Sequence, residues 1–109
     1  MNPKNNRRSF LDCSQILVIE AMAHLSKVTT INHETFYTQG PLKQFEALKN
    51  TTLIRINNGT IINLALIISF NNGKYARLEV QTKTRAFIVS RHYAKQLKEK
   101  MSNDQRLKK

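Results

Sequence analysis

Apolar and polar positions along this chain follow the period of strands more often than that of helices. The densest apolar run, Ile61-Ile62-Asn63-Leu64-Ala65-Leu66-Ile67-Ile68, lies inside the stretch LIRINNGTIINLALIISF, residues 53–70, whose single charge is Arg55. A short run rich in β-branched residues and bounded by turn-formers predicts a buried strand rather than a surface helix. Asn57-Asn58-Gly59 before it and Asn71-Asn72-Gly73 after it supply the bounds, because Asn and Gly tolerate the positive φ that tight turns demand. The core is therefore expected to pass through residues 61–68, with a polar loop at each end.

Upstream, Phe10-Leu11 and then Ile16-Leu17-Val18-Ile19 predict two short strands, with a kink at Asp12-Cys13-Ser14 between them. Ala21-Met22-Ala23-His24 reads as a loop leading into the alternating segment Leu25-Ser26-Lys27-Val28-Thr29-Thr30-Ile31. Asn32-His33-Glu34 is turn chemistry and Thr35-Phe36-Tyr37-Thr38 a returning strand, so residues 25–38 predict a hairpin. Gly40-Pro41 breaks that strand and starts a helix, because proline suits the first helical position. Leu42, Phe45 and Leu48 then share an inward face, while Lys43, Gln44, Glu46 and Lys49 face water. Asn50-Thr51-Thr52 ends the helix.

Downstream, residues 70–75 read as a hairpin turn, and residues 75–81 alternate, with Ala76, Leu78 and Val80 on one face and Arg77, Glu79 and Gln81 on the other. Thr82-Lys83-Thr84 turns the chain into a last strand, residues 85–89. Ser90 caps a terminal helix in which Ala94, Leu97 and Met101 form a narrow apolar stripe. The expected fold is mainly β: an arrangement of short antiparallel sheets with one internal short helix and a C-terminal helix.

Size and charge narrow the function classes. The 109 residues suit one domain with a modest core. Three segments are expected: a flexible basic arm over residues 1–8, the folded domain over 9–101 and a basic tail over 102–109. Eighteen Lys and Arg against seven Asp and Glu give a net charge of +11, which favours a polyanionic partner, nucleic acid first, since each neutralised phosphate releases a counterion. An anionic membrane surface and an acidic protein are the alternatives. The lone Cys13 excludes an internal disulfide and fits a reducing cytoplasm. No stretch approaches the roughly 20 apolar residues of a membrane span, and no signal peptide is recognisable. A cytoplasmic location is expected.

Catalytic chemistry finds little to stand on. His24, His33 and His92 lack the spacing of a metal site, no phosphate-cradling glycine loop occurs, and no nucleophile elbow frames any serine. The chain is read as non-enzymatic, without cofactor, metal or small-molecule substrate. What remains is polar and basic side chains at strand ends, where long side chains reach base edges while Lys and Arg hold phosphates. The candidates are His24, Ser26, Lys27, Arg55, Asn57, Asn58, Arg91 and His92. Each has a plainer reading: His24 as an ordinary loop histidine, Asn57-Asn58-Gly59 as a tight turn, and Arg91 as a solvated first-turn residue. A cation at Arg91 opposes the helix dipole, and that conflict favours an external anion as its partner. Asn63, inside the apolar run, is read as a buried amide satisfying loop backbone groups.

The order ILVIEAMAHLSKV, GPLKQFEAL, IRINNGTIINLALI and FIVSRHYAKQLKEKM resembles the LytTR family of bacterial DNA-binding domains over about residues 14 to 101. That family's pattern runs through an I-x-Y-I-E-S strand, an S/G-L-x-x-L-E helix, an F-x-R-x-H-x-S-x-I-V-N-x-x-x-I segment and a closing I-x-V-S-R-x-Y. The resemblance implies an elongated fold whose loops enter successive major grooves of double-stranded DNA, and a transcriptional regulator bound at direct repeats by two protomers. It places base-reading side chains in the loop holding His24, Ser26 and Lys27, at Asn58, and at Arg91, with Arg55, Asn63, Ser90 and Tyr93 as framework. Many members carry a receiver domain, for which this chain has no room, and it resembles the stand-alone members, some held in check by a membrane protein. Asn57, Asn58 and Gly59 stand where the family has His, a basic or polar residue and Ser, and Thr60 replaces an aromatic.

The leading expectation is thus a sequence-specific DNA-binding regulator. The rival, motivated by the altered 57–59 loop, is a protein-binding module with little DNA specificity. An RNA-binding β-domain is a third reading, disfavoured by the scarcity of aromatics on strand faces.

Overall fold

The computed structural model describes residues 13–48, 51–72 and 77–102. Among them eight strands form two antiparallel sheets. The first contains β1 (Ile16–Met22), β2 (Leu25–Thr30), β3 (Thr35–Gln39), β4 (Leu53–Asn57) and β5 (Thr60–Asn63) in the order β3-β2-β1-β5-β4. The second contains β6 (Ser69–Asn72), β7 (Leu78–Gln81) and β8 (Ala86–Val89) in sequence order. A single-turn helix α1 (Lys43–Glu46) follows β3, and α2 (Arg91–Ser102) follows β8. The molecule measures 44 × 28 × 25 Å, an elongated body as the family resemblance implies.

The larger sheet is covered on both faces, and its central strand shows how. All four of Ile16, Leu17, Val18 and Ile19 are buried, which strict alternation on a one-sided sheet would forbid. The register of β1 against β2 slips between Ile16 and Val18. Ile16 and Ile19 consequently pack with Val28, Leu42 and Ile61, with Phe45 alongside. Leu17 and Val18 pack with Ile54, Ile56 and Ile62 against Leu78, Val80, Phe87 and Val89 of the second sheet and Leu97 and Met101 of α2. One bulged residue thus lets a single strand serve two cores.

The apolar run at residues 61–68 does not form one strand. β5 ends at Asn63, a 3₁₀ turn occupies Leu64–Leu66, and β6 begins in the other sheet at Ser69. Asn63 makes the break. It is 1% exposed, its Nδ2 donates to the carbonyls of Ile16 (2.9 Å) and Cys13 (3.3 Å), and its Oδ1 accepts from the Ala65 N–H (3.0 Å) and the Thr52 hydroxyl. This is the buried, backbone-satisfying amide expected of it, and it converts a continuous strand into a sheet-to-sheet crossing.

Other expectations shift by a few residues. Asn71 and Asn72 belong to β6, opposite Glu79 and Leu78, rather than to a turn. Residues 73–76 lie outside the described part, as do the arm, the first strand expected at Phe10-Leu11 and most of the tail. Residues 21–22 extend β1, and the loop shrinks to a two-residue turn, Ala23-His24, with Ala23 at φ 54°. The internal helix starts after Leu42 rather than at Pro41, and it ends at Glu46. Leu42 is buried as expected, but Leu48 lies beyond that single turn and is 46% exposed. The 25–38 hairpin, the 82–84 turn and the apolar stripe of α2 stand as the pattern predicts.

Candidate nucleic-acid interface

Three connections converge at one end of the larger sheet. The β1–β2 turn carries His24, the β4–β5 turn carries Asn57 and Asn58, and the β8–α2 junction carries Arg91 and His92. Backbone hydrogen bonds tie them together. Ala21 N–H donates to the Gly59 carbonyl (2.9 Å), joining the first turn to the second. Ser90 N–H donates to the Ile56 carbonyl (2.9 Å), joining the second to the start of α2. Gly40 N–H donates to the His24 carbonyl (2.9 Å), so the strand leaving β3 braces the first turn from behind. Local chemistry places each side chain: the positive φ at Ala23 reverses the chain for a two-residue hairpin, and the Ser90 carbonyl accepts from the N–H groups of Tyr93 and Ala94, opening α2 directly after it.

The side chains then divide by what already occupies them. His24, Asn58, Arg91 and His92 are exposed. Arg91 stands at the first position of α2, with no ion pair among the described residues, so its charge is available to an anion. His92 packs edge-on against Tyr93, ring centroids 4.7 Å apart, which leaves the imidazole at the surface but limits its orientation.

Ser26 is fully buried, and its hydroxyl donates to the Gly40 carbonyl (2.9 Å). It braces the base of the hairpin and does not face solvent. The expectation that it reads DNA from a loop is thereby corrected: the alternation of β2 turns Ser26 inward with Val28 and Thr30. The Asn57 Oδ1 accepts from the Gly59 N–H (2.9 Å), an Asx turn that engages the acceptor a bidentate contact with adenine needs. Lys27 lies within β2, half-buried, opposite Glu20 on one side and Tyr37 on the other. It flanks the tip rather than occupying it.

Arg55 is also engaged within the fold. Its Nε donates to the Asn57 carbonyl (2.9 Å) and one terminal nitrogen to the Asn58 carbonyl (2.7 Å). The other terminal nitrogen pairs with the Glu46 carboxylate on α1, and the guanidinium lies 6.0 Å from the centroid of the Tyr93 ring. A planar fork of N–H donors matches two successive carbonyls as an ammonium could not. Arg55 therefore clamps the β4–β5 turn, and Tyr93 and Glu46 hold the clamp. In the sequence Glu46 reads only as a water-facing helix residue; it stands nine positions before Arg55 across a loop, and no local spacing signals the pairing. Beside the pair, Ala21, Leu25, Pro41 and Leu42 line an open cleft of about 370 Å³.

Comparison with known proteins follows the same lines. The family model for the LytTr DNA-binding domain matches residues 6–102. A search of curated proteins returned no match. Among solved structures, the LytTr DNA-binding domain of a protein from Bacillus cereus assigned as a methyl-accepting/DNA response regulator superposes with a TM-score of 0.70 at 20% identity, covering 82% of this chain and 83% of that one. At that identity the superposition establishes the fold: two antiparallel sheets and a C-terminal helix. With the family model spanning nearly the whole chain, this protein belongs to the LytTR family of DNA-binding domains.

Proposed function

We propose that this chain is a sequence-specific transcriptional regulator that reads the major groove of double-stranded DNA with the end bearing the β1–β2 turn, the β4–β5 turn and the start of α2. The observation that carries the proposal is the convergence there of exposed Arg91, Asn58 and His24 on turns that backbone hydrogen bonds lock to one another. Arg91 and Asn58 are the base readers, because Arg pairs in bidentate fashion with a guanine edge and Asn with an adenine edge. Lys27 and His92 flank them, while Ser26, Asn57 and Arg55 shape the surface from within.

The decisive experiment is selection from random-sequence duplex DNA. Enrichment of a motif is expected, and Arg91→Ala should lower affinity for the enriched site by about 1–3 kcal/mol while sparing random DNA. An equal loss on both would leave Arg91 a phosphate contact. Failure to enrich any motif would instead support the protein-binding reading suggested by the unusual Asn57-Asn58-Gly59 turn.

A further inference from the structure

We infer that Glu46, which lies on α1 outside the three converging turns, is a positioning residue that acts through Arg55 to set the conformation of the 57–59 turn. As a statement about DNA recognition, this rests on the proposed reading of that end of the molecule. The geometry of the guanidinium carries it. One edge of Arg55 spans two carbonyls of the turn, Asn57 and Asn58, and the remaining terminal nitrogen is held by Glu46. The two carbonyls fix one edge of the rigid fork, and the third nitrogen, pointing away from them, is then open to any nearby anion, which on DNA is a phosphate. The carboxylate removes this option and orients the plane of the fork.

Glu46 is itself well placed for the task. It closes a single helical turn pinned to the sheet by buried Leu42 and half-buried Phe45, so its position is set by the core and not by DNA. Beside the pair lies an open cleft lined by Ala21, Leu42 and Asn58, so between the Glu46 carboxylate and the turn the ion pair is the polar link. From the clamp the constraint passes onward: Asn57 Oδ1 receives the Gly59 N–H, and the Gly59 carbonyl receives the Ala21 N–H. The backbone of Asn58 and the β1–β2 hairpin beside it are thus linked to one guanidinium.

The inference has a signature of opposite signs. Neutralising Glu46 adds a net positive charge near the interface, so electrostatics alone tightens binding to every DNA. Loss of positioning weakens binding to the preferred site. In the full chain, Glu46→Gln is expected to weaken binding to the selected site about tenfold while leaving random duplex equal or tighter, shifting the ratio of the two. Arg55→Lys, which keeps the charge and loses the fork, should reproduce the specific loss. In an Asn58→Ala background, Glu46→Gln should then cost little more, because the two act through one turn.

A second measurement needs no DNA. Amide hydrogen exchange at Gly59 and Ala21 should accelerate about tenfold in Glu46→Gln, with Val18 and Ile62 in the adjoining ladder unchanged. Unchanged protection at Gly59 and Ala21 overturns the inference, and so does uniform tightening on selected and random DNA alike. A wild-type protein that enriches no motif sinks the DNA-reading proposal, and the exchange experiment alone then decides on Glu46.

Discussion

Two single residues show opposite relations between sequence and structure. Ala23 sits at φ 54° in the β1–β2 turn, where a non-glycine residue is disfavoured by roughly 1–2 kcal/mol. Glycine there relieves that strain and loses about 0.4–1 kcal/mol through the freer unfolded chain. Ala23→Gly is therefore expected to raise stability by about 0.5 kcal/mol, measured as a rise in the urea midpoint at constant slope; a lowered midpoint would show that the turn is not strained. Asn63 runs the other way. Its amide satisfies carbonyls at Ile16 and Cys13 and the N–H of Ala65, so Asn63→Leu removes the partner of several groups at once, at about 1–3 kcal/mol for each one that burial keeps from water. A loss of at least about 2 kcal/mol is expected from the same measurement. A polar residue in an apolar run announces itself, and Asn63 was legible as a buried amide. Ala23 was not, because nothing in Ala-Met-Ala-His marks a left-handed position. The engagement of Ser26 with Gly40 was hidden for a different reason: its partner is fourteen residues away, and only the closed hairpin brings it near.

Elements were legible where the pattern was local and obscured where two sheets compete. The alternation in β2, with Ser26, Val28 and Thr30 buried and Leu25, Lys27 and Thr29 less so, follows the sequence. The run at residues 61–68 reads as one strand because periodicity cannot see that its halves belong to different sheets. What divides it is Asn63 reaching back to Ile16 and Cys13, 47 and 50 residues away. Asn71-Asn72 carries turn chemistry, yet pairing with Glu79 and Leu78 keeps both residues extended. Tertiary pairing overrides local preference there. In α2 the sequence and the structure agree, and its anchor can be tested. Leu97 is fully buried among residues of both sheets, so Leu97→Ala should cost about 2–5 kcal/mol of stability. Below the unfolding transition the variant should still prefer the same DNA motif, because Ser90 is joined to Ile56 by a backbone bond that the substitution leaves in place. A changed motif would mean that core packing, and not that bond, aims Arg91.

At the scale of the whole molecule, charge and shape act together. An elongated body 44 Å long presents its converging turns at one end of the larger sheet, and a net charge of +11 surrounds it with a field that attracts any polyanion. The two contributions separate by salt. The base contacts proposed for Arg91 and Asn58 are the kind that discriminates between sequences, whereas cations that only neutralise phosphate strengthen all DNA equally and set the slope of affinity against salt. The residues after Met101 bring Arg106, Lys108 and Lys109 against Asp104. Truncation there should weaken selected and random duplexes by the same factor. The salt slope should fall by about 0.9 for each phosphate that the tail no longer neutralises, up to roughly three units. The Arg91→Ala variant should show the converse, a weakened preference with a nearly unchanged slope on random DNA. If truncation leaves the slope as it was, the tail does not meet phosphate, and the field of the folded domain alone accounts for non-specific affinity. If truncation instead erases the sequence preference, the tail contributes to base reading, and the surface built by the three turns is incomplete without it.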